Sequence, residues 1–178
     1  MTYNIVFSGF GGQGVLSAGK LVAQAAMLEG KNVSWLPSYG PEKRGGTSNC
    51  HVIISDEPVG SPYIASPNLV IAMSKQAFDK YEELIEENGI MIYDSSSIFS
   101  EPSRDNVRYY KIPATQMAVE VGFAKLANVI FLGKLIGITD LVKQDYFIEA
   151  LKEVLPEEKH HMIPDEIKLL QMGMEYES

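Results

Sequence analysis

Apolar and polar positions alternate along this chain in two rhythms. Short apolar runs fit strands, and longer runs with a three-to-four residue spacing fit helices. Ile5 to Phe7 is a short apolar run that feeds a turn dense in glycine. The Ala- and Leu-rich stretch Val15 to Leu28 then reads as a helix. Asn32 to Leu36, Cys50 to Ser55 and Leu69 to Met73 read as the second to fourth strands. Ser74 can cap a helix running to about Glu87, and Gly89 suits a left-handed cap at its end. Gly89 to Tyr93 and Arg108 to Ile112 read as two further strands. Helices are expected at about Pro113 to Gly122, Asn128 to Ile138, Gln144 to Leu155 and Asp165 to Tyr176. The expectation is an α/β fold: one domain over residues 1–178, with a largely parallel sheet, helices on both faces and a Rossmann-like glycine turn after strand 1.

The segment Pro37 to Ser48 interrupts this rhythm. It is rich in Gly, Pro and Ser and poor in apolar residues, so it reads as a long loop. Long loops in compact domains are commonly functional.

Composition narrows the function classes. At 178 residues and 46% apolar content, the chain can build one full core. No apolar run reaches the ~18 residues of a membrane span. No basic n-region precedes a cleavable apolar stretch, so a cytoplasmic protein is expected. A single cysteine, Cys50, excludes an internal disulfide and an all-cysteine iron–sulfur site within the chain. The net charge is −8. From Asp145 onward nine acids face three lysines, which argues against nucleic acid as a main partner. A solvated acidic helix face explains that cluster.

Gly9, Gly11 and Gly14 match the dinucleotide-binding spacing between a strand and a helix. The same turn also serves plain strand-to-helix packing. An NAD site needs an acid at the end of the second strand, and Trp35-Leu-Pro-Ser-Tyr39 has none. Gly14 to Leu21 nearly matches a P-loop. However, Leu21 replaces the magnesium-binding hydroxyl, and Gly19-Lys20 fall inside the helix, so a nucleoside triphosphatase is rejected. His160-His161 are adjacent and cannot share a helix face as metal ligands. Cys50 has no motif partner and reads as a small buried side chain. Glu82, Glu83, Glu86 and Glu87 read as a solvated helix face. No self-sufficient catalytic set is visible.

The loop Pro37-Ser-Tyr-Gly-Pro-Glu-Lys-Arg-Gly-Gly-Thr-Ser-Asn49 carries the densest chemistry. Arg44 beside Gly45-Gly46 can present a planar cation and bare amides to a carboxylate or phosphate. Thr47, Ser48 and Asn49 add hydroxyl and amide groups, and Tyr39 and Trp35 add flat apolar surface.

Gly9-Phe-Gly-Gly-Gln-Gly14, Trp35-Leu-Pro-Ser-Tyr-Gly-Pro-Glu42 and Arg44-Gly-Gly-Thr-Ser-Asn-Cys50 resemble the gamma subunit of 2-oxoacid:ferredoxin oxidoreductases. Ser55 to Pro62, Ile112-Pro-Ala114 and Ala127-Asn-Val-Ile-Phe-Leu-Gly133 match in the same order. The resemblance spans roughly residues 4 to 155. Lys43 departs from it, standing where an apolar residue is expected. The resemblance implies a multisubunit enzyme that oxidatively decarboxylates a 2-oxoacid to acyl-CoA and passes electrons to ferredoxin. Thiamine diphosphate is then held by alpha and beta subunits, and iron–sulfur clusters by the beta subunit or a ferredoxin-like partner, with a ferredoxin-like delta subunit a further candidate. This chain alone is expected to hold no cofactor. The loop Ser38-Tyr-Gly-Pro-Glu-x-Arg-Gly-Gly is closer to the 2-oxoglutarate and branched-chain types, and 2-oxoglutarate is the substrate expected.

Within the resemblance, Gly9, Gly11, Gly12, Gln13, Gly14, Tyr39, Gly40, Arg44, Gly45, Gly46, Thr47, Ser48, Asn49 and Asn128 are the candidate ligand or active-site interface residues. Gly11, Gly12 and Gln13 are expected to offer donors for coenzyme A, and Arg44 to pair with an acidic group. Two other readings are a non-catalytic assembly module and a stand-alone nucleotide- or anion-binding protein.

Overall fold

A computed structural model describes residues 1–38 and 46–177. Six strands form one mixed sheet: β1 Thr2–Phe10, β2 Asn32–Ser38, β3 Thr47–Ser55, β4 Leu69–Ala72, β5 Ile90–Asp94 and β6 Arg108–Ile112. Their spatial order is β2-β3-β1-β4-β5-β6. The ladders β1–β4, β4–β5 and β5–β6 are parallel, while β3 runs antiparallel to both β1 and β2. The expected largely parallel sheet is therefore present, with β3 as its one reversed strand. That strand also separates the fold from a simple dinucleotide-binding sheet, because β2 does not lie beside β1.

Strand parity divides the core. Ile5, Phe7, Val52, Ile54, Leu69, Ile71 and Ile92 point to one face. Val6, Ile53, Val70, Ala72, Met91 and Tyr93 point to the other. The strands nearest the centre are buried on both sides, so they read as continuous apolar runs. The first face is covered by α1 Val15–Leu28, α3 Ala114–Glu120, α4 Ala127–Ile138, α5 Gln144–Val154 and α6 Ile163–Glu175. The second face carries α2 Lys75–Leu84, which buries Ala77, Phe78 and Tyr81. Helices cover both faces, as expected, but very unequally.

Side-chain size sets two close approaches. A Cβ on Gly19 would collide with Cys50 Sγ, so α1 lies directly on β3. A Cβ on Gly133 would strike the Leu170 carbonyl, and one on Gly173 the Ile130 carbonyl. Thus α4 and α6 touch backbone to backbone, which only small residues permit.

Several boundaries differ from expectation. β3 begins at Thr47, so the polar Thr47-Ser48-Asn49 belong to a strand and not to the loop. Pairing with Phe10, Gly9 and Ser8 of β1 overrides their weak strand character. α2 ends at Leu84, not near Glu87. Ile85 turns into the core, and Arg104 Nη1 donates to the Glu82 and Ile85 carbonyls at 2.9 and 2.7 Å. The left-handed residue after this helix is Asn88, at φ 62°, and not Gly89. Glu82 is no solvated charge: its Oε1 accepts from Tyr109 Oη at 2.8 Å and from the Ser103 N–H at 2.7 Å.

Candidate functional site

β1 ends at Phe10 and the chain turns through Gly11, Gly12 and Gln13 into α1. Gly14 is the N-cap, at φ 72°, a left-handed conformation that costs other residues about 1–2 kcal/mol. Among the described residues no side chain caps this helix, which leaves its first-turn N–H groups for a ligand.

Each glycine has its own reason. A Cβ on Gly9 would lie 2.9 Å from Met73 Cβ, so this position is fixed by packing. A Cβ on Gly14 would lie 2.6 Å from Asn128 Nδ2. Gly12 sits at φ 93° with open space where a side chain would stand.

The turn is braced from within. Gln13 Oε1 accepts from the Phe10 N–H at 2.7 Å, and Gln13 Nε2 donates to the Met73 carbonyl at 2.9 Å. The Gly11 N–H donates to the Gly46 carbonyl at 3.2 Å. The expected ligand donors at Gly11 and Gln13 are therefore already committed to the fold. Among the described residues, no hydrogen bond uses the Gly12 N–H.

The Gly11–Gly46 bond brings the residue just before β3 against the glycine turn. Asn49 accepts from Ser8 Oγ in the β1–β3 ladder, so it too serves the strand pair. Tyr39, Gly40, Arg44 and Gly45 lie outside the described residues.

Asn128 joins the site from the first turn of α4. It is 8% exposed, and its Nδ2 donates to the Gly14 carbonyl at 3.2 Å. Its Oδ1 is buried and has no hydrogen-bond partner among the described residues. An unmet buried acceptor costs on the order of 1–3 kcal/mol and calls for an explanation. A donor on a ligand would supply one.

Asn128 lines a depression of about 210 Å³, and Gly12 and Lys125 line both it and a second one of about 150 Å³. Sequence reasoning missed Lys125, which sits in a short 3₁₀ turn, Ala124–Leu126, with no motif around it. The larger depression continues between α1 and α5 over Leu21 and Leu151 to Lys159 and Glu166. Burial raises the Glu166 carboxyl above its ordinary range, and Lys159 opposes the shift. The site thus joins a cation, first-turn helix amides and an unmet acceptor at one end to Leu21, Leu151, Lys159 and Glu166 at the other.

The remaining candidates resolve quietly. Cys50 is fully buried, its Sγ donates to the Val15 carbonyl at 3.6 Å, and burial pushes its pKa up to about 12. Such a thiol is no nucleophile and no cluster ligand. His160 and His161 bond the Leu155 and Glu158 carbonyls at 2.9 and 2.8 Å. Among the described residues no group of three His, Cys, Asp or Glu side chains could hold a metal ion. Among them, too, no helix is long and apolar enough to cross a membrane.

Comparison with known proteins gives this geometry a lineage. Residues 4–176 match the family model for pyruvate ferredoxin/flavodoxin oxidoreductase. The ketoisovalerate oxidoreductase subunit VorA of Methanothermobacter thermautotrophicus is 40% identical over 97% of this chain, which spans 36% of that protein. The 2-oxoglutarate synthase subunit KorC of Methanocaldococcus jannaschii is 37% identical over 88% of this chain and 85% of its own length. The gamma subunit of a keto/oxoacid ferredoxin oxidoreductase from Geobacter sulfurreducens has the same fold. Its TM-score is 0.82 at 33% identity, covering 97% of this chain and 96% of that one. The chain therefore belongs to the pyruvate ferredoxin/flavodoxin oxidoreductase family, as a gamma-type member of it.

Proposed function

We propose that this chain works as the gamma subunit of a multisubunit 2-oxoacid:ferredoxin oxidoreductase, covering the active site and helping to admit coenzyme A. The observation that carries the ligand reading is the unpartnered Asn128 Oδ1 beside Gly12 and Lys125. Coenzyme A offers amide N–H groups for that oxygen and phosphates for Lys125 and the first turn of α1. Arg44 is proposed as a further anion contact.

Thiamine diphosphate and the iron–sulfur clusters belong, on this reading, to the alpha and beta subunits or a ferredoxin-like partner. Cys50 is buried, which does not suit a ligand of an iron–sulfur cluster. Ferredoxin is the proposed acceptor, and the cytoplasm the proposed compartment. The substrate proposed is 2-oxoglutarate. The Ser38 to Gly46 motif fits the 2-oxoglutarate and branched-chain types alike, and similarity to both KorC and VorA proteins keeps a branched-chain 2-oxoacid as the competing substrate.

One observation favours a second reading, a non-catalytic assembly module. Gln13 and the Gly11 N–H are spent inside the fold, as in a turn built only for packing. The two readings separate in the co-purified complex, assayed for coenzyme A-dependent reduction of a viologen dye with a panel of 2-oxoacids. Arg44→Ala is expected to raise the coenzyme A requirement or loosen the complex. Unchanged kinetics in an intact complex would overturn its role.

A further inference from the structure

The sheet is not covered evenly, and the gap has a definite chemistry. α2 packs over β4 and β1 and reaches Tyr109 of β6, and among the described residues no helix covers β2 and β3 on this face. A depression of about 350 Å³ lies there, away from the glycine turn, between β2, β3, α2 and the segment following β3. Three large apolar side chains converge on it while facing solvent: Leu36 is 39% exposed, Tyr63 68% and Leu84 41%. Exposed apolar residues are ordinary when scattered, but a cluster at an open sheet face marks a contact surface.

The polar groups are one-sided. Among the described residues no carboxylate lines the groove, although the chain carries a net charge of −8. Lys80 is exposed on α2, with Nζ 5.0 Å from the centre of the Tyr81 ring. Among the described residues it meets no acid. His51 Nδ1 accepts from the Ile64 N–H at 3.2 Å, which leaves the ring proton on Nε2. The groove therefore presents apolar surface, a lysine and an imidazole donor, on a protein that otherwise repels acidic partners.

We infer that this groove seats a short apolar segment bearing a carboxylate, supplied by another subunit of the same oxidoreductase, with its carboxylate paired to Lys80. The inference rests on the proposed function only in taking the chain to work inside a complex. The segment lies on the sheet face and does not extend the sheet edge. Pro37 stands in edge strand β2 and has no N–H to offer an added strand.

The test uses the chain co-produced with its alpha and beta subunits and recovered through a tag on this chain. A photo-crosslinking benzoylphenylalanine replaces Leu84. The expected crosslink falls on a partner subunit, in an apolar segment containing Asp or Glu. Leu36→Glu with Leu84→Glu is expected to cut recovery of partner subunits at least about tenfold. Lys80→Glu, at an exposed position where packing is not disturbed, is expected to cut it about threefold. Replacing the crosslinked carboxylate by lysine is then expected to restore the Lys80→Glu complex. A crosslink to a second copy of this chain, or wild-type recovery by both variants, would overturn the inference while leaving the gamma-subunit reading intact. Failure of the unaltered chain to recover any partner subunit would instead overturn both.

Discussion

Gln13 and Met73 are joined by a 2.9 Å hydrogen bond that ties the glycine turn to the residue after β4. With Oε1 on the Phe10 N–H, this one side chain spans the two parallel strands at the centre of the sheet. Gln13→Ala leaves both partners unmet and is expected to cost about 1–3 kcal/mol in urea unfolding. Gln13→Glu keeps the acceptor for Phe10 but sets a carboxylate oxygen against the Met73 carbonyl, so it should cost at least as much as the alanine variant.

Asn128 allows affinity to be separated from stability. Asn128→Leu removes the donor to Gly14 and also the unmet acceptor, so the stability change should be small. If that acceptor receives a coenzyme A amide, the apparent KM for coenzyme A should rise about tenfold in the assembled enzyme, with kcat little changed. An unchanged KM would assign Asn128 to packing alone.

Gly14→Ala meets two costs at once, the left-handed φ of 72° and the contact with Asn128. A loss above about 2 kcal/mol is expected by urea unfolding, and the larger share should vanish in the Gly14→Ala, Asn128→Ala double variant. Additive losses would mean the backbone strain dominates.

Gly133→Ala and Gly173→Ala push α4 and α6 apart at the same crossing. Each is expected to cost about 1–3 kcal/mol, read as a lowered melting temperature. Because the two sites share one contact, their combined loss should fall short of the sum.

Cys50 gives a pH prediction. Its pKa is raised from 9.0 to about 12 by burial. Below pH 9 the thiol is protonated in both folded and unfolded chains, and this group leaves stability unchanged. Between pH 9 and 12 only the unfolded chain ionises, so stability falls as pH rises. Native protein at pH 8 should resist iodoacetamide, and denatured protein should take one label. Rapid labelling of the native chain would contradict the burial.

The sequence rhythm was legible wherever one local signal sufficed. Ser74 caps α2 as read, accepting from the Ala77 N–H at 3.2 Å, and the strands at Ile5, Leu69 and Arg108 fall where the apolar runs place them. What escaped depended on distant partners. Nothing local says that β3 inserts between β1 and β2, because pairing order is decided by sheet-wide burial. Thr47 to Asn49 looked like loop because their strand comes from β1. Asn88, not Gly89, took the left-handed turn, a role asparagine also tolerates. Lys125 reaches the site only because α3 and α4 fold its short turn against Gly12. The glycine turn was readable as a feature, but the inward use of Gln13 was not, since its partner Met73 lies sixty residues away.

The reversed strand also sets what change the chain can absorb. β3 keeps step with β1 from Thr2 opposite Ser55 to Phe10 opposite Thr47, and with β2 from Asn32 opposite Ser55 to Ser38 opposite Asn49. Insertions or deletions between Ser38 and Gly46 fall beyond the last rung and leave both ladders in step. A single residue gained or lost within β3 would swap its inward and outward sides, turning Cys50 and Val52 away from α1. Length variation among descendants of this sequence is thereby channelled into the stretch between Ser38 and Gly46, outside both ladders, where it can be accommodated without rebuilding the sheet.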